Sequence, residues 1–126
     1  MYRAYGLLRP ASAFTLIEAV ARLQARFAGY TVSLAGTQIT VATTGWEIEL
    51  ALNADPAVLA ESVAFAEKIA GAEDGSDIQT CGRRVEVWSE TPDPFVEHLA
   101  DFHAVLDVLR TFAGVIVIDP AEPALM

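Results

Sequence analysis

The sequence is poor in cysteine and lysine and has no long apolar run. Cys81 is the single cysteine among 126 residues, which excludes an internal disulfide and a cysteine-based zinc site. A lone thiol fits a reducing compartment. No stretch approaches the roughly 18 apolar residues that span a bilayer, and residues 1–10 lack the apolar segment of a secretory signal. We therefore expect a cytoplasmic protein that does not enter a membrane.

Positive charge is also scarce, because the chain has eight lysine and arginine residues but seventeen aspartate and glutamate residues, which gives a net charge of −9. Nucleic acids and anionic lipids bind clustered cations, so neither is an expected partner. The charge is divided unevenly, with a balance of +3 over residues 1–30 and −12 over residues 31–126. The simpler interpretation is that this division is incidental. The alternative is an acidic surface that attracts a basic protein, since complementary fields speed encounter.

The periodicity of apolar residues predicts one α+β domain over residues 1–120 and a loose tail over residues 121–126. The predicted elements are strands at 2–8, 30–35, 38–43, 46–52, 78–80, 84–89 and 115–118, and helices that start near 15, 56 and 95. Their order is (β)-α-β-β-β-α-β-β-α-β. We expect a largely antiparallel sheet with the three helices packed on one face. The residues predicted for the core are Leu16, Val20, Leu23, Phe27, Ile48, Leu50, Phe65, Leu99, Phe102 and Leu106.

Two glutamates alternate with apolar residues in the predicted strand at 46–52. Glu47 and Glu49 therefore project from one face of the sheet, and Glu86 joins them if the strands are neighbours. Trp46 and Trp88 lie near strand ends, where tryptophan often anchors an interface. These five residues are the predicted partner-binding set. The simpler alternatives are a solvated acidic face and two core tryptophans.

Histidine and cysteine offer the residues for a different function. His98 and His103 are five positions apart, about 140° around a helix, so they cannot chelate one ion together. Cys81 is followed closely by Arg83 and Arg84, which can lower a thiol pKa, but no local base accompanies it. No Gly-x-Ser-x-Gly motif and no phosphate-binding glycine loop is present. We therefore predict no catalytic residue, no metal and no cofactor.

Three hypotheses follow from the sequence. The favoured one is a non-catalytic bacterial interaction module, such as an adaptor, a secretion chaperone or an immunity-type inhibitor, that binds a basic protein through its acidic strand face. The abundance of alanine, and of arginine over lysine, indicates a bacterial source. The second hypothesis is a small enzyme or ligand-binding domain that uses His98, His103 or Cys81 with nearby carboxylates. The third is a homodimeric structural domain that pairs through an edge strand or the three-stranded meander.

Overall fold

The computed structural model describes residues 2–69 and 75–126. Its elements in chain order are β1 (Arg3–Leu8), α1 (Leu16–Arg26), β2 (Thr31–Ala35), β3 (Gln38–Thr43), β4 (Trp46–Asn53), α2 (Ala57–Lys68), α3 (Gly75–Ile78), β5 (Arg83–Trp88), α4 (Leu99–Arg110), β6 (Val115–Asp119) and β7 (Ala124–Leu125). The longest helices of the described chain, α2 and α4, have 12 residues each. None of the helices in these two ranges has the length and apolar character needed to cross a membrane.

Local sequence signals explain where several elements begin and turn. The Thr15 hydroxyl accepts a hydrogen bond from the backbone N–H of Glu18 at 3.2 Å and caps α1. The Asp55 carboxylate accepts the backbone N–H of Ala57 at 2.9 Å where α2 begins. Gly36, with φ of 61°, starts the two-residue turn between β2 and β3, a position that favours glycine. The β2–β4 meander therefore follows directly from its turn residues.

One antiparallel sheet holds all seven strands of the described chain, in the order β2-β3-β4-β5-β1-β6-β7. β1 lies inside this sheet, between β5 and β6, although it comes first in the chain. Its Tyr5 is opposite Glu86 on one side and Ile118 on the other. The predicted α+β class and the antiparallel sheet are confirmed. The predicted order of helices and strands is confirmed as well, except that α3 takes the place of the strand predicted at 78–80 and β7 follows the last predicted strand.

Two apolar cores lie on opposite faces of the sheet. Because side chains alternate along a strand, Ala4 and Leu8 of β1 join the first core, whereas Tyr5 and Leu7 join the second. α1 and α4 pack on the first core, and α2 packs on the second through Phe65. The prediction placed all three helices on one face. The structure divides them, because the second face of β1 and β6 is also apolar and has to be covered.

The predicted core residues occupy both of these cores. Leu99 is the exception, since 37% of it is exposed. Three residues are half-buried and pack against the cores, namely Leu16, Val20 and Phe65. The others are buried, namely Leu23, Phe27, Ile48, Leu50, Phe102 and Leu106.

The second face is only partly covered. Its β2–β4 half, called the open half below, carries polar or small side chains such as Ser33, Thr40 and Glu47. These side chains are exposed or half-buried, in contrast to the second core on the same face of β1 and β6. The fold therefore leaves a polar area of sheet in contact with solvent.

The region before β5 differs from the prediction of a strand at 78–80. Ile78 ends the short helix α3, and its fully buried side chain belongs to the second core. The backbone N–H of Cys81 donates to the Ile78 carbonyl at 3.1 Å, so a turn follows α3 directly. A short helix with one buried apolar residue thus replaces the strand predicted at 78–80. The glycine at 71 is a sequence signal for the end of the second helix, and residues 73–77 have the composition of a loop. Gly71 and residues 73 and 74 lie outside the described residues.

The third long helix starts later than its sequence signal indicates. Asp93 and Pro94 predict a start at 95, but α4 begins at Leu99. The Asp93 carboxylate accepts the backbone N–H groups of Glu97 and His98 and so closes a turn ahead of the helix. Val96 in that turn has a positive φ of 56°, a conformation that no helix can include. The prediction of a helix start at 95 was therefore wrong, because Asp93 closes a turn and the N-cap of α4 is His98.

The C-terminal residues also differ from the expected loose tail. Residues Ala124–Leu125 form β7, which pairs with β6 and places Leu125 opposite Ile118. The backbone N–H of Met126 donates to the Val117 carbonyl at 3.0 Å. These bonds attach the last residues to the edge of the sheet.

Truncation of Leu106 tests the assignment of the first core. Its side chain is fully buried, so Leu106→Ala should lower the free energy of unfolding by about 2–5 kcal/mol. The matched control is Leu59→Ala on α2, where the leucine is 46% exposed and the loss should be about 0.5 kcal/mol. Denaturant unfolding measures both. Equal losses in the two variants would contradict this assignment.

Candidate functional site

The structure brings four of the five predicted binding residues onto one face. Glu47, Glu49, Glu86 and Trp88 all project to the second face, and the pairing of β4 with β5 sets Glu49 opposite Trp88. Trp46 projects to the other face, where it is 3% exposed and packs in the first core. Trp46 is therefore a core residue and does not reach the rim of this face.

A cluster of three carboxylates, Glu47, Glu49 and Glu90, forms what we call the acidic patch. The pKa of Glu49 is raised to about 7, first because the carboxyl group is partly buried. The charge of Glu47, a hydrogen bond with Glu47 and the charge of Glu90 raise it further. Within residues 2–69 and 75–126, none of the ion pairs involves a member of the patch. The mutual repulsion of the three groups is therefore not relieved by a cation of the described chain.

Glu90 was not among the predicted binding residues. It follows β5 and continues the period of two through Glu86 and Trp88, which was the signal available in the sequence. The prediction stopped at Trp88 because Glu90 lies beyond the apolar alternation that marked the strand. Its charge acts on Glu49 across the β4–β5 pair.

Glu86 has a structural role that separates it from the acidic patch. Burial by itself would raise the pKa of Glu86, but hydrogen bonds from Asn53 at 3.0 Å and Arg84 at 2.8 Å lower it. The Arg84 side chain is 5% exposed, and its guanidinium lies 4.1 Å from the centre of the Tyr5 ring. Glu61 also approaches Arg84, at 3.4 Å. Glu86 therefore neutralises a buried cation and has little capacity for a partner.

A shallow groove of about 250 Å³ adjoins the acidic patch on the same face. Trp88 and Glu90 line it, together with Tyr5 and Arg3 of the neighbouring strand. The Arg3 guanidinium donates to the Tyr5 hydroxyl at 2.8 Å, which holds this cation on the β1 side of the groove. An indole beside carboxylates suits a guanidinium or ammonium group, which both the π face and the negative charge attract.

The two histidines do not share a site. The His98 ring stacks on Trp46 with 4.5 Å between ring centres, and its Nδ1 lies 2.9 Å from Asp101 Oδ2. The Tyr30 hydroxyl donates to the same Asp101 oxygen at 2.9 Å. This group holds the start of α4 against the meander. His103 is exposed on another flank of α4, as the 140° divergence predicts.

Cys81 is separated from both histidines by the sheet. It is fully buried in the second core, whereas His98 stacks on a residue of the first. Burial raises the pKa of the Cys81 thiol to about 11, so it is a neutral thiol near pH 7. In the described ranges, no group of three or more His, Cys, Asp or Glu side chains is arranged so that it could hold a metal ion. The residues of the enzyme hypothesis are therefore not brought together.

The raised pKa of Glu49 predicts a pH dependence of stability. Because the folded pKa of about 7 exceeds the ordinary value of 4.5, the folded state holds the extra proton between these values, and stability falls as pH rises through this window. Glu49→Gln mimics the protonated form, so it should raise the Tm more at about pH 8 than at about pH 5. Glu47→Gln removes one cause of the shift and should lower the Glu49 midpoint in a carboxyl NMR titration. An unchanged midpoint in Glu47→Gln would contradict this electrostatic account.

Comparison of the chain with protein-family models, with curated proteins and with solved structures finds no match in any of the three.

Proposed function

We propose that this protein is a non-catalytic bacterial interaction module of the cytoplasm, and that its acidic patch binds a basic protein partner. The observation that carries the proposal is the carboxylate cluster around Glu49, which has no ion-pair partner among the described residues and whose Glu47 and Glu49 lie on the open half of the sheet. A cation supplied by another protein would relieve that repulsion.

The partner's contact residue is inferred to be an arginine or a lysine. Its charged group would lie against Glu47 and Glu49, with its aliphatic stem or guanidinium plane over Trp88. Trp88 is half-buried and adjoins the patch through its pairing with Glu49. Aromatic residues beside charged groups are typical of residues that dominate binding energy. Arg3 at the far side of the groove would repel a second cation and so limit how the partner is oriented.

Charge reversal in the patch tests this proposal. The probe is a short arginine-rich peptide, and a peptide of equal length with glutamate in place of arginine is the negative ligand. Glu47→Lys with Glu49→Lys should weaken binding of the arginine peptide by about tenfold or more, which is about 1.4 kcal/mol. Binding to the native protein should also weaken as salt rises, because exposed charges are screened. Calorimetric titration measures both effects.

The matched control carries the same change of net charge at another place. Glu67 and Glu122 are exposed and lie outside the patch, so Glu67→Lys with Glu122→Lys should weaken binding much less. Circular dichroism verifies that both double variants remain folded. Equal loss in the two would show that net charge, not the patch, attracts the peptide. That result would end the proposal.

Protonation of Glu49 should couple binding to pH. Because the pKa of Glu49 is about 7 in the free protein, a bound cation would favour its ionised form and release a proton. Affinity for the arginine peptide should therefore rise between about pH 6 and about pH 8 in the native protein, and less in Glu49→Gln. Titration in buffers of different ionisation enthalpy detects the released proton. Identical pH profiles for the two proteins would exclude Glu49 from the contact.

A further inference from the structure

One edge of the sheet, formed by β2, lacks the features that usually keep two sheets apart. β2 pairs with β3 on one side and is the end strand on the other. Exposed edge strands are normally protected by lysine, proline, a bulge or a covering loop. β2 has the sequence TVSLA, with neither charge nor proline, and it pairs with β3 in an unbroken register. Four of its five residues are exposed.

The turn fixes which backbone groups of β2 are free to pair. In a two-residue hairpin the flanking residues, here Ala35 and Gln38, form a hydrogen-bonded pair. The backbone N–H and C=O groups of successive residues point alternately to the two sides of a strand, so those of Ser33 also bond to β3. Val32 and Leu34 then direct their N–H and C=O groups away from β3. Two donors and two acceptors are thus aligned along the open edge.

The two strands at this edge, β2 and β3, carry no charge in an otherwise acidic protein. No charged residue occurs between Arg26 and Glu47, a segment that contains β2 and β3. α1 packs over these strands, and its Arg22 turns towards α4, where it donates to the Thr111 hydroxyl at 2.9 Å. Ile17 lies about 140° around the helix from Arg22 and is 79% exposed. Ile17 is therefore an exposed apolar side chain on a flank of α1 that its Arg22 does not occupy.

We propose that a second copy of this chain pairs with β2, strand against strand and antiparallel, so that two seven-stranded sheets become one. Full overlap of β2 with itself places Ser33 opposite Ser33 of the second copy. Val32 of each copy then exchanges both backbone hydrogen bonds with Leu34 of the other. The sequence is its own complement in this register, because threonine, serine and alanine meet on one face and valine and leucine on the other.

Charge selects a second copy over a basic protein at this edge. A basic partner has no carboxylate to contact on β2 or β3, whereas two copies with net charge −9 can approach only where charge is absent. In the paired sheet, β4 of one copy would be five strand spacings from β4 of the other, about 24 Å. The screening length at physiological salt is about 8 Å, so the two acidic patches hardly repel. The patches would remain accessible on one continuous face.

Mass in solution tests the pairing. Sedimentation equilibrium should give twice the chain mass of 13.5 kDa. Leu34→Lys places a charge at the edge on a side chain that is already 40% exposed, and it should weaken dimerisation at least tenfold without loss of the fold. The matched control is Ala124→Lys on the exposed β7 at the other edge of the sheet, which should leave the dimer unchanged. A monomeric native protein, or a dimer lost only in Ala124→Lys, would overturn the proposal.

The register gives a second and sharper test. A non-hydrogen-bonded pair has its Cα atoms about 4.5 Å apart, which permits a disulfide. Ser33→Cys should therefore cross-link two copies on mild oxidation, whereas Thr31→Cys, which faces Ala35 of the second copy, should not. Native Cys81 is fully buried and does not interfere. Equal cross-linking of both variants would refute this register.

Charge reversal at Glu47 and Glu49 separates the two proposals. Those residues are two strands away from the edge, so the double variant should lose peptide binding and keep the dimer mass. Loss of the dimer in that variant would contradict pairing through β2.

Discussion

The fold depends on the burial of β1 at both edges and on both faces. Its backbone pairs with β5 and β6, and its alternating side chains enter two cores. Even its glycine contributes, since a Cβ on Gly6 would lie 3.4 Å from Leu109 of α4 and 3.3 Å from Val115. Helices must therefore cover both sides of the sheet around β1. On the second face, α2 and α3 cover β1 and β6, so β2, β3 and β4 remain uncovered on that face.

Two glutamates of the same face show how strongly the neighbourhood decides the state of a carboxylate. Glu86 lies beside the buried Arg84, and its pKa is lowered. Glu49 is partly buried and lies beside other carboxylates, and both its burial and their charges raise its pKa to about 7. The pairing of β4 with β5 brings these two environments close together. Glu86 neutralises a cation that the fold has buried, whereas Glu49 has no cation partner among the described ion pairs.

Local patterns in the sequence were sufficient for the meander, for the cap at Thr15 and for the shared face of Glu47 and Glu49. Alternation also places Trp46 in phase with Ile48, and so in the core. Pairing between distant strands was not accessible, because no local signal states that β1 lies between β5 and β6. For the same reason Arg84 could not be matched with Tyr5 and Glu61, although Glu86 lies two residues away on the same strand. Asp93 shows a further limit, since a capping residue serves a turn as well as a helix.

The central position of β1 has a consequence for synthesis of the chain. β1 is synthesised before its partner strands, and Arg3 pairs with Trp88 and Leu8 pairs with Val115, which are made much later. Contacts between residues so far apart in sequence slow folding, because a long loop must close before they form. Until then the apolar segment from Ala4 to Leu8 has two unpaired edges and no core to enter. The nascent chain is therefore most exposed to aggregation before β6 has been made, because β1 then presents apolar surface and unpaired strand edges.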